Sequence, residues 1–417
     1  MQTKRSLAED FAGIVGKENV REATAEDAID GVEPSLVVEP GSVEEISAVM
    51  KLASHEGLAV SPRGGGTKAG WGAPPRSLDL VLSTARMDTI FEHVPGDQIV
   101  RTQSGVKLGT LQEELAEANQ MLALDPPEKD ATVGGVVAAN SSGPRRYKYG
   151  TVRDLIIGIT VVLADGTVAK AGGKVVKNVA GYDLSKLFTG SFGTLGVIAD
   201  ANFRLHPRPE AVRTIAVEVE SPQAARGAAQ TIVHSQVEAT AIELHWGEET
   251  KQISVLLESI PDGIGAKEEA ASFLLKSFGK VRTLGEEADD LGPPSTAYEV
   301  DLKIGAPPAE LANVLDSILN AAERRGAAVS MTGHAGTGVT YAGLSGDEDD
   351  LVGLVEEVRE IRTRSGGSVV VRGAPASFKE KVDVWGPAGD YLGLTRRVKE
   401  KFDPGYFMNP GRFMGGI

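Results

Sequence analysis

Four clusters in the first half of the chain have residue types and spacing suited to a charged, flat ligand. The first is Arg63-Gly64-Gly65-Gly66-Thr67, directly after a run that reads as a strand. Consecutive glycines let backbone N–H groups face one concavity, and without Cβ atoms an anion such as a pyrophosphate can come close. A plain surface turn accounts for the same residues equally well. No Lys-Ser/Thr pair follows the last glycine and no G-x-G-x-x-G opens a helix there, so the loop is neither a Walker motif nor a dinucleotide fingerprint. The second cluster runs from Asp130 to Gly143, where Thr132, Asn140, Ser141 and Ser142 offer hydroxyl and amide partners among small side chains. A heteroaromatic ring with a hydroxylated chain needs such surroundings. The other reading is a small-residue helix packed on a sheet, against which Gly134 and Gly135 count at about 1 kcal/mol each. The third cluster is Tyr149-Gly150-Thr151-Val152-Arg153-Asp154. The fourth is Gly190 to Ile198, whose glycines suit backbone contacts to a nucleotide, although a glycine ladder alone specifies little.

The second half offers acid–base candidates. Glu243 and His245 alternate on a strand pattern and so share a face. His334 lies in Gly333-His334-Ala335-Gly336, and Arg372 ends an apolar run, where it could grip a substrate carboxylate with two N–H groups. For Glu243, His245 and Arg372 an ordinary surface or interface role is the commoner one, by about two to one. The six histidines (55, 93, 206, 234, 245 and 334) form no close metal-ligand pair, so no metal site is expected. There is no cysteine, which excludes disulfides, thiolate nucleophiles and iron–sulfur clusters on their usual ligands. Redox chemistry here needs an organic cofactor, and electrons leaving singly must pass to another chain. No serine-hydrolase elbow is present.

The elements that must position these residues follow from periodicity. Residues 36–38 read as a strand, 42–56 as a helix capped by Ser42 and ended by Gly57, and 58–61 as the next strand. A strand at 98–102, a helix at 108–118 and a buried strand at 157–163 follow. His206-Pro207-Arg208-Pro209 is a stiff break. Beyond it, β-like alternation at 213–220, 241–245, 253–258 and 298–304, with a helix at 309–325, predicts an antiparallel sheet with helices on one side. The reading divides the chain into an N-terminal helical segment (1–29), a first domain (30–208), an α+β domain (209–395) and a C-terminal segment (396–417). The net charge of −15 disfavours nucleic acid as a partner. The N-terminal stretch lacks the apolar core of a signal peptide, and the apolar run 155–164 is too short to span a bilayer, so a cytoplasmic protein is expected.

Taken together, the four clusters resemble the flavin domain of the vanillyl-alcohol-oxidase type, the PCMH-type FAD-binding fold, over about residues 33–208. The resemblance implies FAD as cofactor. It implies a pyrophosphate loop at Arg63, Gly64, Gly65, Gly66 and Thr67, with Thr132, Gly134 and Gly135 at pyrophosphate and flavin. Ser142, Gly143, Tyr149, Gly150, Arg153 and Asp154 would pass along the ribityl chain and ring, and Gly196, Val197 and Ile198 would hold the adenine end. Where many members carry a flavin-linking histidine, Thr67-Lys68 stands here, which implies non-covalent FAD. A closer likeness, to the FAD-binding subunits of glycolate oxidases, rests on residues 174–188, on Asp383-Val384-Trp385-Gly386 and on the tail Phe402-Asp403-Pro404-Gly405…Asn409-Pro410-Gly411-Arg412-Phe413. It implies that the tail returns to the flavin domain with Asn409 near the ring, and that the work is oxidation of a 2-hydroxy acid. The implied setting is a complex with a second flavin subunit and an iron–sulfur subunit. The histidine motif of the hydroxy-acid enzymes, G-H-x-G-D-G-N-x-H, is altered: Thr337, Val339 and Tyr341 replace its Asp, Asn and second His. This implies a chain that relays electrons or supports a partner. A self-sufficient oxidase using Glu243, His245 or His334 as base, and a non-catalytic assembly subunit, are the alternatives.

Overall fold

Ser42 accepts a hydrogen bond from the Glu45 amide at 3.0 Å and opens the helix Val43–Glu56, which buries Ile46, Val49, Met50 and Ala53. Gly57, at φ +69°, closes it. The computed structural model describes residues 4–173, 183–285 and 298–417, so residues 174–182 of the glycolate-oxidase-like stretch lie outside the described residues. Contacts divide the chain into two units: Met1–Ser141 with Thr151–Pro207 and Pro387–Ile417, and Ser142–Gly150 with Arg208–Gly386.

The first unit holds two main sheets. One orders the strands Val20–Glu22, Leu36–Val38, Leu80–Ser83 and Val60–Arg63, the last three parallel. The other is antiparallel and runs Ile90–Val94, Ile99–Gln103, Val197–Arg204, Ile156–Val162 and Val168–Gly172. One core joins them: Leu36, Val60, Leu80 and Leu82 from the first sheet meet Val162, Val197 and Ala199 from the second. The N-terminal helix Lys4–Val15 adds Phe11 and Val15 to this core, and the tail adds Met408. Residues 1–29 and the tail therefore belong to the same unit as most of 30–208.

The second unit is an eight-stranded antiparallel sheet in the order Val281–Gly285, Ala211–Glu218, Lys251–Ser259, Ala239–Trp246, Ala328–His334, Val339–Ser345, Val300–Gly305 and Ser368–Gly373. Alternation puts Ile242, Leu244, Ile253, Val255, Met331, Leu302 and Ile304 on one face, all buried. The helices Pro222–Val233, Pro261–Leu275, Leu311–Arg325 and Glu348–Arg364 bury their own apolar stripes beside it. The opposite face is polar, and the short helix Arg146–Tyr149 packs against the strand Ala239–Trp246 there. Two boundaries differ from the sequence reading: the second unit ends at Gly386 rather than 395, and Ser142–Gly150, expected in the first domain, sorts with the second. Among the described residues no helix is long and apolar enough to cross a membrane.

Candidate functional site

A cleft of about 870 Å³, open solvent at its mouth included, lies in the first unit. The loop 63–69 forms one wall, leaving the carboxyl end of the parallel strand Val60–Arg63, where open α/β sheets place their ligands. Its glycines are sterically required. A Cβ at Gly64 would overlap the Thr132 hydroxyl, one at Gly65 would overlap the Asp130 carbonyl, and Gly66 has φ +71°. Arg63 is anchored: its Nη2 donates to Asp27 Oδ1 at 2.6 Å. Asp27 is 2% exposed, and hydrogen bonds from Arg21, backed by Arg63, hold its carboxyl far below the usual range. Lys68 pairs with Glu128 at 2.8 Å and lies 5.3 Å from the Trp71 ring centre.

The second wall is the helix Val133–Ala139, capped by the Thr132 hydroxyl, which accepts from the Gly135 amide. The sequence reading counted Gly134-Gly135 against a helix here, and the structure corrects it. A Cβ at Gly134 would stand 2.7 Å from Ser104 Cβ, so the glycine lets the first turn lie flush on the neighbouring strand end. Gly196, Val197 and Ile198 line the cavity, as do Phe192 and Gly193. From the tail come Asn409 and Arg412. Asn409 Nδ2 donates to the Phe192 carbonyl at 2.8 Å, while its Oδ1, like Ser104 Oγ, is buried with no hydrogen-bond partner. Such atoms await a polar ligand. The Arg412 guanidinium donates to the Ala69 and Trp71 carbonyls, lies 5.7 Å from the Phe192 ring centre, and is pushed down by burial to about 10. Arg63 to Thr67, Thr132, Gly134, Gly135, Gly196 to Ile198 and Asn409 thus surround one cavity.

Ser142, Gly143, Tyr149, Gly150, Arg153 and Asp154 lie outside its lining. Tyr149 donates to Glu258 Oε2 at 2.8 Å, and Asp154 accepts from the Thr151 amide at 2.7 Å.

The polar face of the second unit gathers the acid–base candidates. His334 and Glu243 face each other across adjacent strands, with His334 Nδ1 2.8 Å from Glu243 Oε2; each is 2% exposed. His245 follows on the same face, opposite Thr332. The Tyr341 ring meets the imidazole edge-on at 5.6 Å, and Arg372 stacks on Tyr341 at 4.7 Å. Arg372 was expected to grip a substrate carboxylate; its Nε donates instead to Asp301 Oδ2 at 2.6 Å. Sequence reasoning missed Lys303 and Arg146. Burial, with Arg146 and Arg372 as positive neighbours, pushes the Lys303 ammonium down to about 8. Burial, with Arg146 and Lys303, pushes His334 down to about 3, so its ring is neutral. Nδ1 faces the Glu243 carboxyl, which leaves Nε2 as the ring nitrogen turned away from it. That Nε2 is buried and has no hydrogen-bond partner among the described residues. Tyr147 closes over the neighbouring loop, where its ring fills the space that a Cβ at Gly336 would take. Among the described residues no three His, Asp or Glu side chains stand together as a metal site.

Residues 34–172 match the FAD binding domain family, and residues 300–413 match the FAD linked oxidases, C-terminal domain. Glycolate oxidase subunit GlcD of Bacillus subtilis is 26% identical over 91% of this chain and 88% of its own. A D-lactate dehydrogenase of Archaeoglobus fulgidus is 29% identical over 90% of each chain. The solved structure of p-cresol methylhydroxylase with substrate bound superposes with a TM-score of 0.76 at 16% identity, covering 99% of this chain and 97% of that one. At that identity the superposition speaks for the fold alone.

Proposed function

The chain belongs to the PCMH-type FAD-linked oxidases and is an FAD-dependent oxidoreductase, and from that premise we propose that it oxidises a 2-hydroxy acid to the 2-oxo acid. The observation that carries the reading is His334, a buried neutral imidazole fixed through Nδ1 by Glu243, with an unpartnered Nε2 and two cations beside it. FAD, when bound, is the two-electron acceptor that oxidation of an alcohol to a carbonyl requires. The cavity of the first unit suits it. Residues 64–67 would hold its phosphates, and Ser104 Oγ and Asn409 Oδ1 would supply hydrogen bonds. The lining contains no His, Cys or Tyr to form a covalent flavin link, which supports non-covalent binding.

In the second unit, Arg146 and Lys303 hold the substrate carboxylate. His334 Nε2 takes the hydroxyl proton as the carbinol C–H is lost, and the Glu243 carboxylate stabilises the imidazolium that results. The lack of cysteine and the subunit name borne by one relative support membership of an assembly with a second flavin subunit and an iron–sulfur subunit, which would take electrons onward.

The test is the visible spectrum of the FAD-loaded chain under anaerobic addition of glycolate or D-lactate. Bleaching of the flavin by either acid, with stoichiometric 2-oxo acid formed, is expected. An unreduced flavin with both acids would overturn the proposal in favour of a purely relaying or assembling subunit.

A further inference from the structure

The helix Leu392–Phe402 carries a lysine that exposure alone makes unusual: Lys399 is 0% exposed. Its three ammonium hydrogens have three acceptors. Nζ lies 2.8 Å from the Thr194 carbonyl, 2.7 Å from Asp403 Oδ2 and 2.8 Å from the Met408 carbonyl. Asp403, also 0% exposed, accepts in turn from the Phe407 amide at 3.0 Å and the Met408 amide at 2.8 Å. The network ties two backbone segments together. Thr194 belongs to the loop that brings Phe192, Gly193 and Gly196 to the FAD cavity, and Met408 directly precedes Asn409. Asn409 is held at φ +44° and bridges back to the same loop through the Phe192 carbonyl.

We infer that Lys399, which touches neither the cavity nor its ligand, is a positioning residue for FAD. Its bonds to Thr194 and Met408 lock the tail against the 190–196 loop, so that Asn409 Oδ1 and Arg412 already face the cavity before FAD arrives. The inference rests on the assignment of that cavity to FAD. A buried ion pair is a poor source of net stability, because desolvation of both charges offsets their attraction. It does fix geometry well, since removing one partner leaves the other without its match. If the tail is docked only part of the time, apparent FAD affinity falls in proportion to the docked fraction.

The test is reconstitution of the apoprotein with FAD, followed by fluorescence quenching, for the wild type, Lys399→Met and Asp403→Asn. Circular dichroism monitors folding, and limited proteolysis monitors the tail. In folded Lys399→Met, the FAD dissociation constant should rise by about tenfold or more. The segment after Phe402 should become protease-sensitive without FAD and regain protection at saturating FAD, a ligand-dependent rescue that general loss of stability would not give. Asp403→Asn removes the charge and keeps an acceptor oxygen for only one of the two amides, and should also weaken FAD binding. It decides the matter by the same criterion if Lys399→Met does not fold. Wild-type affinity in a folded variant, with the tail equally protected, would overturn the inference. Failure of the wild type itself to bind FAD would instead overturn the assignment of the cavity.

Discussion

At the scale of single residues, the proposed chemistry rests on His334 being neutral and aimed. His334→Gln should slow flavin reduction by about 10²–10⁴-fold, the usual contribution of a general base, while leaving the FAD dissociation constant unchanged; stopped-flow absorbance and binding titration check the two halves. Because the imidazole is pushed down to about 3, activity should not fall between pH 8 and 5 on its account. Lys303 acts at the other end of the range. It is charged below about pH 8 and loses its proton above, so kcat/KM for the acid should decline as pH rises through that value. Lys303→Met should raise KM and abolish that alkaline limb. Sequence reading singled out His334 as what remains of the altered histidine motif, and Glu243 through strand alternation. Lys303 and Arg146 were not. A lysine alternating with Leu302 and Ile304 on a strand reads as an ordinary solvated residue, and Arg146 reaches the same face from a segment more than 150 residues away in sequence. The bidentate role expected of Arg372 failed because Asp301, on the neighbouring strand, already occupies it.

At the scale of elements, two short helices test how local structure serves the sites. In Val133–Ala139, Gly134→Ala would improve intrinsic helix propensity by about 1 kcal/mol yet place a Cβ 2.7 Å from Ser104 Cβ. The helix must then shift at the cavity wall, and weaker FAD binding, measured by quenching, is expected. The helix Arg146–Tyr149 is fastened by one carboxylate: Glu258 accepts from Arg145 Nε at 3.0 Å, the Tyr149 hydroxyl at 2.8 Å and the Thr240 hydroxyl at 3.1 Å. Tyr149→Phe removes a bond to a charged acceptor and should destabilise the second unit by about 1.5–3 kcal/mol in denaturant titration, and raise KM by loosening Arg146. Longer elements were readable because caps and periodicity agree, as at Ser42, Gly57 and the helix Leu311–Arg325. The helix at Gly134 was misread because propensity scales carry no term for a close neighbour. Lys399 and Asp403, four apart at the end of an amphipathic helix, look from sequence like a surface pair; only tertiary packing removes them from water.

At the scale of the whole molecule, two units with separate cores should unfold in more than one calorimetric step. FAD at about 100 times its dissociation constant should add about 2.7 kcal/mol to the unit that binds it, moving one transition and leaving the other in place. A single transition moving as one would mean that the units unfold together. The break at His206–Pro209 was legible because two prolines stiffen it, and it coincides with the observed division between Pro207 and Arg208. The assignment of Ser142–Gly150 to the second unit was not legible, since Glu258, which holds it, comes more than a hundred residues later. The order of segments also bears on how the protein is made. The first unit is completed by Pro387–Ile417, which follows the entire stretch Arg208–Gly386 in the chain. On the ribosome, therefore, all of the cavity lining except Asn409 and Arg412 emerges long before those two residues can join it. Full cofactor affinity is therefore reached only after the second unit has been synthesised, and a nascent chain stalled within it would present the cavity without Asn409 and Arg412.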